Sequence, residues 1–231
     1  MIRMLWNDLL NLFYPNLCLI CRRQLADFEP HICLYCLCDL PCARYHKRPD
    51  NPVLKLYAGI PQMREAAAFL LYEKDGTAQT LIHNFKYYNN KALAEYLGLI
   101  ASQEMKTDGL FCDVDFLVPV PLHPKKERQR GYNQSLWIAR GMAAGYGIPI
   151  RNEALYRKIY TISQTRKSHY DRHLNIEDVF GVEDGQAFAG KHVLLIDDVI
   201  TTGATSIACI EALTGIPDIR ISVFSLAIVT Q

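Results

Sequence analysis

The run Val193-Leu-Leu-Ile-Asp-Asp-Val-Ile-Thr-Thr-Gly-Ala-Thr205 carries the most specific chemistry in this chain. An apolar strand ends in two carboxylates, and a loop of small and hydroxyl residues then opens a helix. Backbone N–H groups at such a turn converge on a phosphate, and the helix dipole favours its negative charge. Gly203 permits close backbone approach. Thr201, Thr202 and Thr205 add hydroxyl donors. No Lys follows the glycine, which excludes a nucleoside-triphosphate P-loop. Asp197 and Asp198 stand at the carboxyl end of the strand, where α/β sheets bind ligands. Adjacent residues on an extended chain point opposite ways, so the two need not act alike.

This run resembles the motif by which type I phosphoribosyltransferases bind 5-phosphoribosyl-1-pyrophosphate (PRPP). The resemblance implies that Asp197 and Asp198 hold the ribose hydroxyls. It implies that Thr201, Thr202, Gly203, Ala204 and Thr205 hold the 5-phosphate. Loss of pyrophosphate develops positive charge on the ribose, and nearby carboxylates stabilise it, which makes the pair the catalytic candidates. Mg²⁺ on pyrophosphate and ribose oxygens would assist the leaving group.

Two further segments are basic. Pro119 to Gln134 follows a short apolar strand and carries Lys125, Lys126, Arg128 and Arg130 ahead of Gly131. A basic loop in that place can receive pyrophosphate. Arg157 to Phe180 is basic and poorly periodic. With Arg157, Thr161, Gln164, Arg172 and Asn175 it reads as a flap that closes over reacting phosphates and excludes water.

Six of the eight cysteines crowd one segment: Cys18, Cys21, Cys33, Cys36, Cys38 and Cys42. Cys18-x-x-Cys21 and Cys33-x-x-Cys36 form two knuckles that can close a tetrahedral shell around one structural Zn²⁺. Cys38 and Cys42 are bystanders or competitors. A disulfide framework would need an exported chain. Residues 2–13 lack a cleavage signal and recur at helical spacing, so they read as a docked amphipathic helix in a cytoplasmic protein.

These groups need a scaffold, and 231 residues suffice for one ordinary domain and a small module. The expected units are 1–48, helix plus zinc ribbon, and 53–231, with a turn-rich linker from His46 to Pro52. Strands are expected at Ala66–Tyr72, Phe116–Val120, Val193–Ile196 and Ile219–Val229. Helices are expected at Thr77–Tyr87, Lys91–Met105, Asn133–Ala144 and Gly203–Leu213. That alternation, with continuous apolar strands, predicts an α/β fold: a mainly parallel sheet flanked by helices. No apolar run reaches the ~18 residues of a membrane span. A net charge of +1 favours no class of partner, so nucleic-acid binding would need a local patch.

The cysteine knuckles, Lys86-Tyr87, Arg130-Gly-Tyr-Asn-Gln134, Thr161-x-x-Gln164 with Arg172-x-x-Asn175 and Phe180, and the Val193–Thr205 run together resemble the ComF family. These are competence-associated, phosphoribosyltransferase-like proteins. The resemblance spans nearly the full chain in the family's order. Lys167, where the family usually has an apolar residue, and the extra thiol Cys42 depart from it. It implies a type I phosphoribosyltransferase fold, a role with single-stranded DNA taken up during transformation, and partners among DNA-uptake proteins. Two functions follow as expectations. One is phosphoribosyl transfer from PRPP to an acceptor. The other is a non-catalytic PRPP-sensing or single-strand-binding factor, with Tyr132 or Tyr170 stacking on bases.

Overall fold

The computed structural model describes residues 15–158 and 179–229. The entry helix expected at residues 2–13 lies outside them. So do Thr161, Gln164, Tyr170, Arg172 and Asn175, and with them most of the expected flap.

Four strands form one all-parallel sheet: β1 (Met63–Tyr72), β2 (Phe116–Pro119), β5 (His192–Ile200) and β6 (Arg220–Val229), in the order β1-β6-β5-β2. A separate hairpin pairs β3 (Leu155–Arg157) with β4 (Phe180–Val182). Alternation along β5 sends side chains to both faces. Leu194 and Ile196 join one core with Leu81, Phe85, Leu97 and Ile138, while Val193 and Leu195 join a second with Ile210, Leu213 and Ile221. The expected mainly parallel sheet covered on both faces is therefore present.

The first face is covered by α3 (Thr77–Tyr87), α4 (Lys91–Thr107) and α6 (Gln134–Tyr146), the second by α7 (Ala204–Leu213). Asn90 caps α4 by accepting from the Leu93 N–H at 3.0 Å, and Asn133 caps α6 by accepting from Ser135 at 3.0 Å. Helices α4 and α6 meet at glycines. A Cβ on Gly141 would strike the Glu95 carbonyl and the Leu99 nitrogen, and one on Gly98 would strike the Ile138 carbonyl. Backbone obstacles do not rotate away, so overpacking here is costly. Gly141→Ala is expected to lower stability by about 3 kcal/mol, read as a fall in the urea midpoint.

One expectation is corrected. The basic segment after β2 contains a helix, α5 (Pro124–Arg130). Pro124 starts it with a preset φ, His123 Nδ1 accepts from the Lys125 N–H at 3.1 Å, and Gly131 closes it at φ 78°. It has no apolar stripe, so periodicity gives no sign of it. The segment expected as a turn-rich linker, His46 to Pro52, is built of turns. It holds a 3-10 turn (Tyr45–Lys47) and leads through the Asn51 cap into α2 (Pro52–Lys55), and Val53 and Tyr57 are buried against the sheet.

The ribbon joins the same body. Pro41 to Ala43 run antiparallel to β1, with Leu71 N–H donating to Pro41 at 2.7 Å and Ala43 N–H to Phe69 at 2.8 Å. Among the described residues no helix is long and apolar enough to cross a membrane.

Candidate phosphate and ribose site

Strand β2 ends where Pro119 pairs with Ile196, whereas β5 runs on to Ile200 against β6. Asp197 and Asp198 therefore lie inside a strand, not at its end as expected. On the β2 side this stretch of β5 is open. A polar cleft of about 160 Å³ fills the gap, lined by Lys86, Lys126, Arg130, Ser135, Arg157 and both aspartates, with Thr205 at its end. Because the strands are parallel, all their carboxyl ends gather there.

The two carboxylates have different surroundings, as alternation requires. Asp198 Oδ2 is 2.8 Å from Lys86 Nζ and 3.8 Å from Arg130 Nη1. Arg130 Nη1 also donates to Gln134 Oε1 at 2.9 Å. Among the described residues no cation stands at contact distance from Asp197; its Oδ1 accepts from the Asp198 N–H at 2.8 Å. Burial pushes its carboxyl up to about 7. The Asp198 charge adds to this, while the Asp198 N–H, Lys86 and Ser135 partly offset it.

The hydroxyl loop follows directly. Gly203 holds φ at 78° as the residue before α7, a conformation that strains any residue with a Cβ. The loop from Thr201 to Thr205 lines a second polar recess with Asp197. Thr201, Thr202, Ala204 and Thr205 are exposed, and the Ala204 N–H donates to Thr202 Oγ1 at 3.4 Å. The helix start is fixed from behind: Ser206 Oγ donates to Gly203 O at 2.9 Å and meets the buried Tyr57 hydroxyl at 2.8 Å.

The expected anion residues divide by helix geometry. Lys126 and Arg130 are four apart, share a face of α5 and line the cleft; Lys125 is not part of its lining. Gly131 serves as the helix stop. Arg157, at the end of β3, reaches the cleft with its guanidinium 5.4 Å from the Phe180 ring. Lys86, Gln134 and Ser135 enter the site without having been singled out for it. Tyr132 is unavailable for base stacking: it is buried, and its hydroxyl donates to the Phe85 carbonyl.

At the ribbon, Cys18, Cys21, Cys33 and Cys36 bring their sulfurs within 4.8 Å of one another. Cys21 and Cys33 stand 3.6 Å apart at sulfur. Zn–S bonds of ~2.3 Å in a tetrahedron set S–S edges of roughly 3.8 Å, so the cluster is compatible with a structural zinc ion. Arg22 turns the first knuckle at φ 61°. Cys33 precedes the one-turn α1 (Leu34–Cys38), which puts Cys36 on the same side. Glu29 fixes the loop between the knuckles by accepting from Ala26 N–H at 2.8 Å and Leu34 N–H at 2.7 Å. Burial opposes a Cys18 thiolate, but N–H groups of Cys33, Cys21 and Ile20 outweigh it and draw the thiol down to about 6. Burial, and then the neighbouring thiols, push Cys36 up to about 12. A divalent cation held there would supply the charge that lets all four ionise. Cys38 and Cys42 stand outside the cluster.

No family model matches the chain. Competence protein F of Haemophilus influenzae is 28% identical over 195 residues, which cover 82% of this chain and 80% of that protein. DNA utilization protein YhgH of Salmonella typhimurium is 27% identical, with 83% and 87% covered. Competence protein ComFC of Bacillus subtilis is 27% identical, with 82% and 74% covered. Among solved structures, the allosteric regulatory enzyme of purine biosynthesis matches at TM-score 0.41 and 16% identity, over 62% of this chain and 30% of that one. A purine phosphoribosyltransferase from Pyrococcus horikoshii matches at TM-score 0.35 and 15% identity, over 57% and 71%.

Proposed function

We propose, this chain being a member of the ComF family, that the cleft beside Asp197 and Asp198 binds PRPP with Mg²⁺ and serves phosphoribosyl transfer to an acceptor. One juxtaposition carries the reading. A phosphate-sized recess of hydroxyls and N–H groups adjoins two carboxylates in the open notch of β5, with Lys86, Lys126, Arg130 and Arg157 across from them. The 5-phosphate sits on Thr201–Thr205, the ribose faces the aspartates, and the pyrophosphate meets the cations.

The residues fit Mg²⁺ in the manner such ions prefer, through substrate phosphates with one or two carboxylates nearby. When bound, the ion neutralises pyrophosphate charge as the bond to the ribose breaks. The chain's own part is to orient the ribose through Asp197 and to stabilise its developing positive charge. Lys86 and Arg130 are ion-paired to Asp198 before ligand arrives, and they become free to hold pyrophosphate once Asp198 turns to the ribose. The relatives are named for competence and for DNA utilization, which supports a setting in DNA uptake; single-stranded DNA is the partner proposed here. Incubation with PRPP and Mg²⁺ is expected to release pyrophosphate once acceptor is supplied, with single-stranded DNA as the first acceptor to try. A chain that binds PRPP yet yields no pyrophosphate with any acceptor would be a sensor.

Asp197 makes the reading pH-sensitive. Its protonated form lacks the charge that faces the ribose, so PRPP affinity is expected to rise as pH passes through about 7 and then level off. Folding responds in the opposite sense. The folded state holds this proton more tightly than the unfolded chain, so the group's stabilising contribution is present at low pH and is lost as pH rises through about 7. Asp198→Asn removes the like charge and is expected to move both midpoints to lower pH. Affinity that is flat from pH 5.5 to 8.5 would remove Asp197 from the ribose.

A further inference from the structure

The hydroxyl loop rests on a residue far from it in sequence. Tyr57 follows α2, the segment that Asn51 ties to the sheet by accepting from the Val53 N–H at 3.0 Å and donating to the Ala66 carbonyl at 2.8 Å. The Tyr57 ring is buried, and its hydroxyl meets Ser206 Oγ at 2.8 Å, across 149 positions of chain. Ser206, in the first turn of α7, is also buried and forms part of the lining of the hydroxyl recess.

A hydroxyl carries one proton. Ser206 gives its own to the Gly203 carbonyl at 2.9 Å, so Tyr57 must be the donor to Ser206. Burial pushes the phenol's ionisation up, and the Asp197 charge adds to this, so Tyr57 keeps that proton at any working pH. The bonds run from Tyr57 to Ser206 to Gly203, and members of such a chain strengthen one another. A trans peptide sets its C=O and N–H on opposite sides. Holding the Gly203 carbonyl inward therefore turns the Ala204 N–H outward, where it meets Thr202 Oγ1 at 3.4 Å in the wall of the recess. That bond is long and yields to a phosphate oxygen. Leu56 adds support from the same segment: a Cβ on Gly203 would lie 3.6 Å from the Leu56 Cβ and Cδ1.

We propose, on the footing that the Thr201–Thr205 recess takes the 5-phosphate, that Tyr57 is a positioning residue for that phosphate. It acts through Ser206 to hold the loop's N–H groups in place before ligand arrives. Packing alone does not need the hydroxyl. The ring sits in one core with Val53, Ala66 and Ile210, which a phenylalanine of nearly the same volume would fill as well. The hydroxyl matters because it fixes the direction of the Ser206 proton, and with it the peptide that opens α7.

The test compares the full chain as wild type, Tyr57→Phe, Ser206→Ala and the double variant, by calorimetric titration of ribose 5-phosphate and, separately, of pyrophosphate with Mg²⁺. Tyr57→Phe is expected to weaken ribose 5-phosphate about fivefold and to leave pyrophosphate within about twofold. Ser206→Ala is expected to weaken ribose 5-phosphate at least as much. The double variant is expected to lose no more than Ser206→Ala does, because Tyr57 acts through Ser206. A residue that only packs would lower the urea midpoint and leave the ratio of the two affinities unchanged. Tyr57→Phe, close to isosteric, carries the comparison should Ser206→Ala fail to fold. Unchanged ribose 5-phosphate affinity in folded Tyr57→Phe would overturn this role and leave the phosphate site standing. Equal loss of both ligands would overturn it too, as general damage. A wild type that binds pyrophosphate but not ribose 5-phosphate would overturn the phosphate assignment itself, and the role of Tyr57 with it.

Discussion

Replacing Cys18 and Cys33 together by serine is expected to abolish the ribbon's metal and to lower stability by more than about 4 kcal/mol, within the range that loss of a structural metal produces. The effect is large because these residues serve two roles. Their thiols belong to the four-sulfur cluster, and both are 1% exposed or less, in one core with Ile32, Leu93 and Leu97. Without the ion, the backbone N–H groups that now favour a Cys18 thiolate face an uncharged hydroxyl, and Ile32 loses the frame that buries it. Elemental analysis should fall by one zinc per chain, and the urea midpoint should fall with it. Cys38→Ser should change neither, since that thiol is exposed and outside the cluster. An unchanged midpoint in the metal-free double variant would mean that the ribbon folds on packing alone.

Much of this was readable from residue order, for reasons that differ between elements. The Val193–Thr205 run was legible because apolar strand, acidic pair, hydroxyl loop and helix start agree along one stretch of chain. The covering helices were legible through their caps and apolar periodicity, and α3 spans Thr77–Tyr87 as expected. Helix α5 was not, because its signals are caps and a proline ahead of six polar residues. That omission also hid the division between Lys126, in the cleft, and Lys125, outside its lining. Lys86 carries an ion pair to a carboxylate 112 positions along the chain, a contact that only the packing of α3 on the sheet creates. Ser135 and Gln134 looked like the opening residues of a helix, which they are, and they also line the site. Tyr132 illustrates the reverse error: an aromatic in a basic segment suggested stacking, and it is a core residue instead.

The aspartate pair produces the other large effect. Asp197→Asn with Asp198→Asn keeps side-chain shape and, at a pH above about 8 where Asp197 is ionised, removes two charges from the notch of β5. Charge-assisted hydrogen bonds contribute roughly 1.5–3 kcal/mol each. At about 1.4 kcal/mol per tenfold, losing two weakens PRPP by about a hundredfold or more. Ribose 5-phosphate should lose less, since the Thr201–Thr205 loop that meets its phosphate keeps every residue. Pyrophosphate alone should bind as well or better, because Lys86 and Arg130 are freed from Asp198. This ordering separates loss of the ribose contacts from general damage, which would weaken all three ligands alike.

Calorimetric titration of PRPP with Mg²⁺ into wild type and the folded double variant is the most direct test of the central claim. Binding to wild type, and a loss of about a hundredfold or more in the variant with pyrophosphate binding retained, is the expected result. Equal PRPP affinity in the two proteins would contradict it and would take the ribose, and phosphoribosyl chemistry with it, out of this cleft.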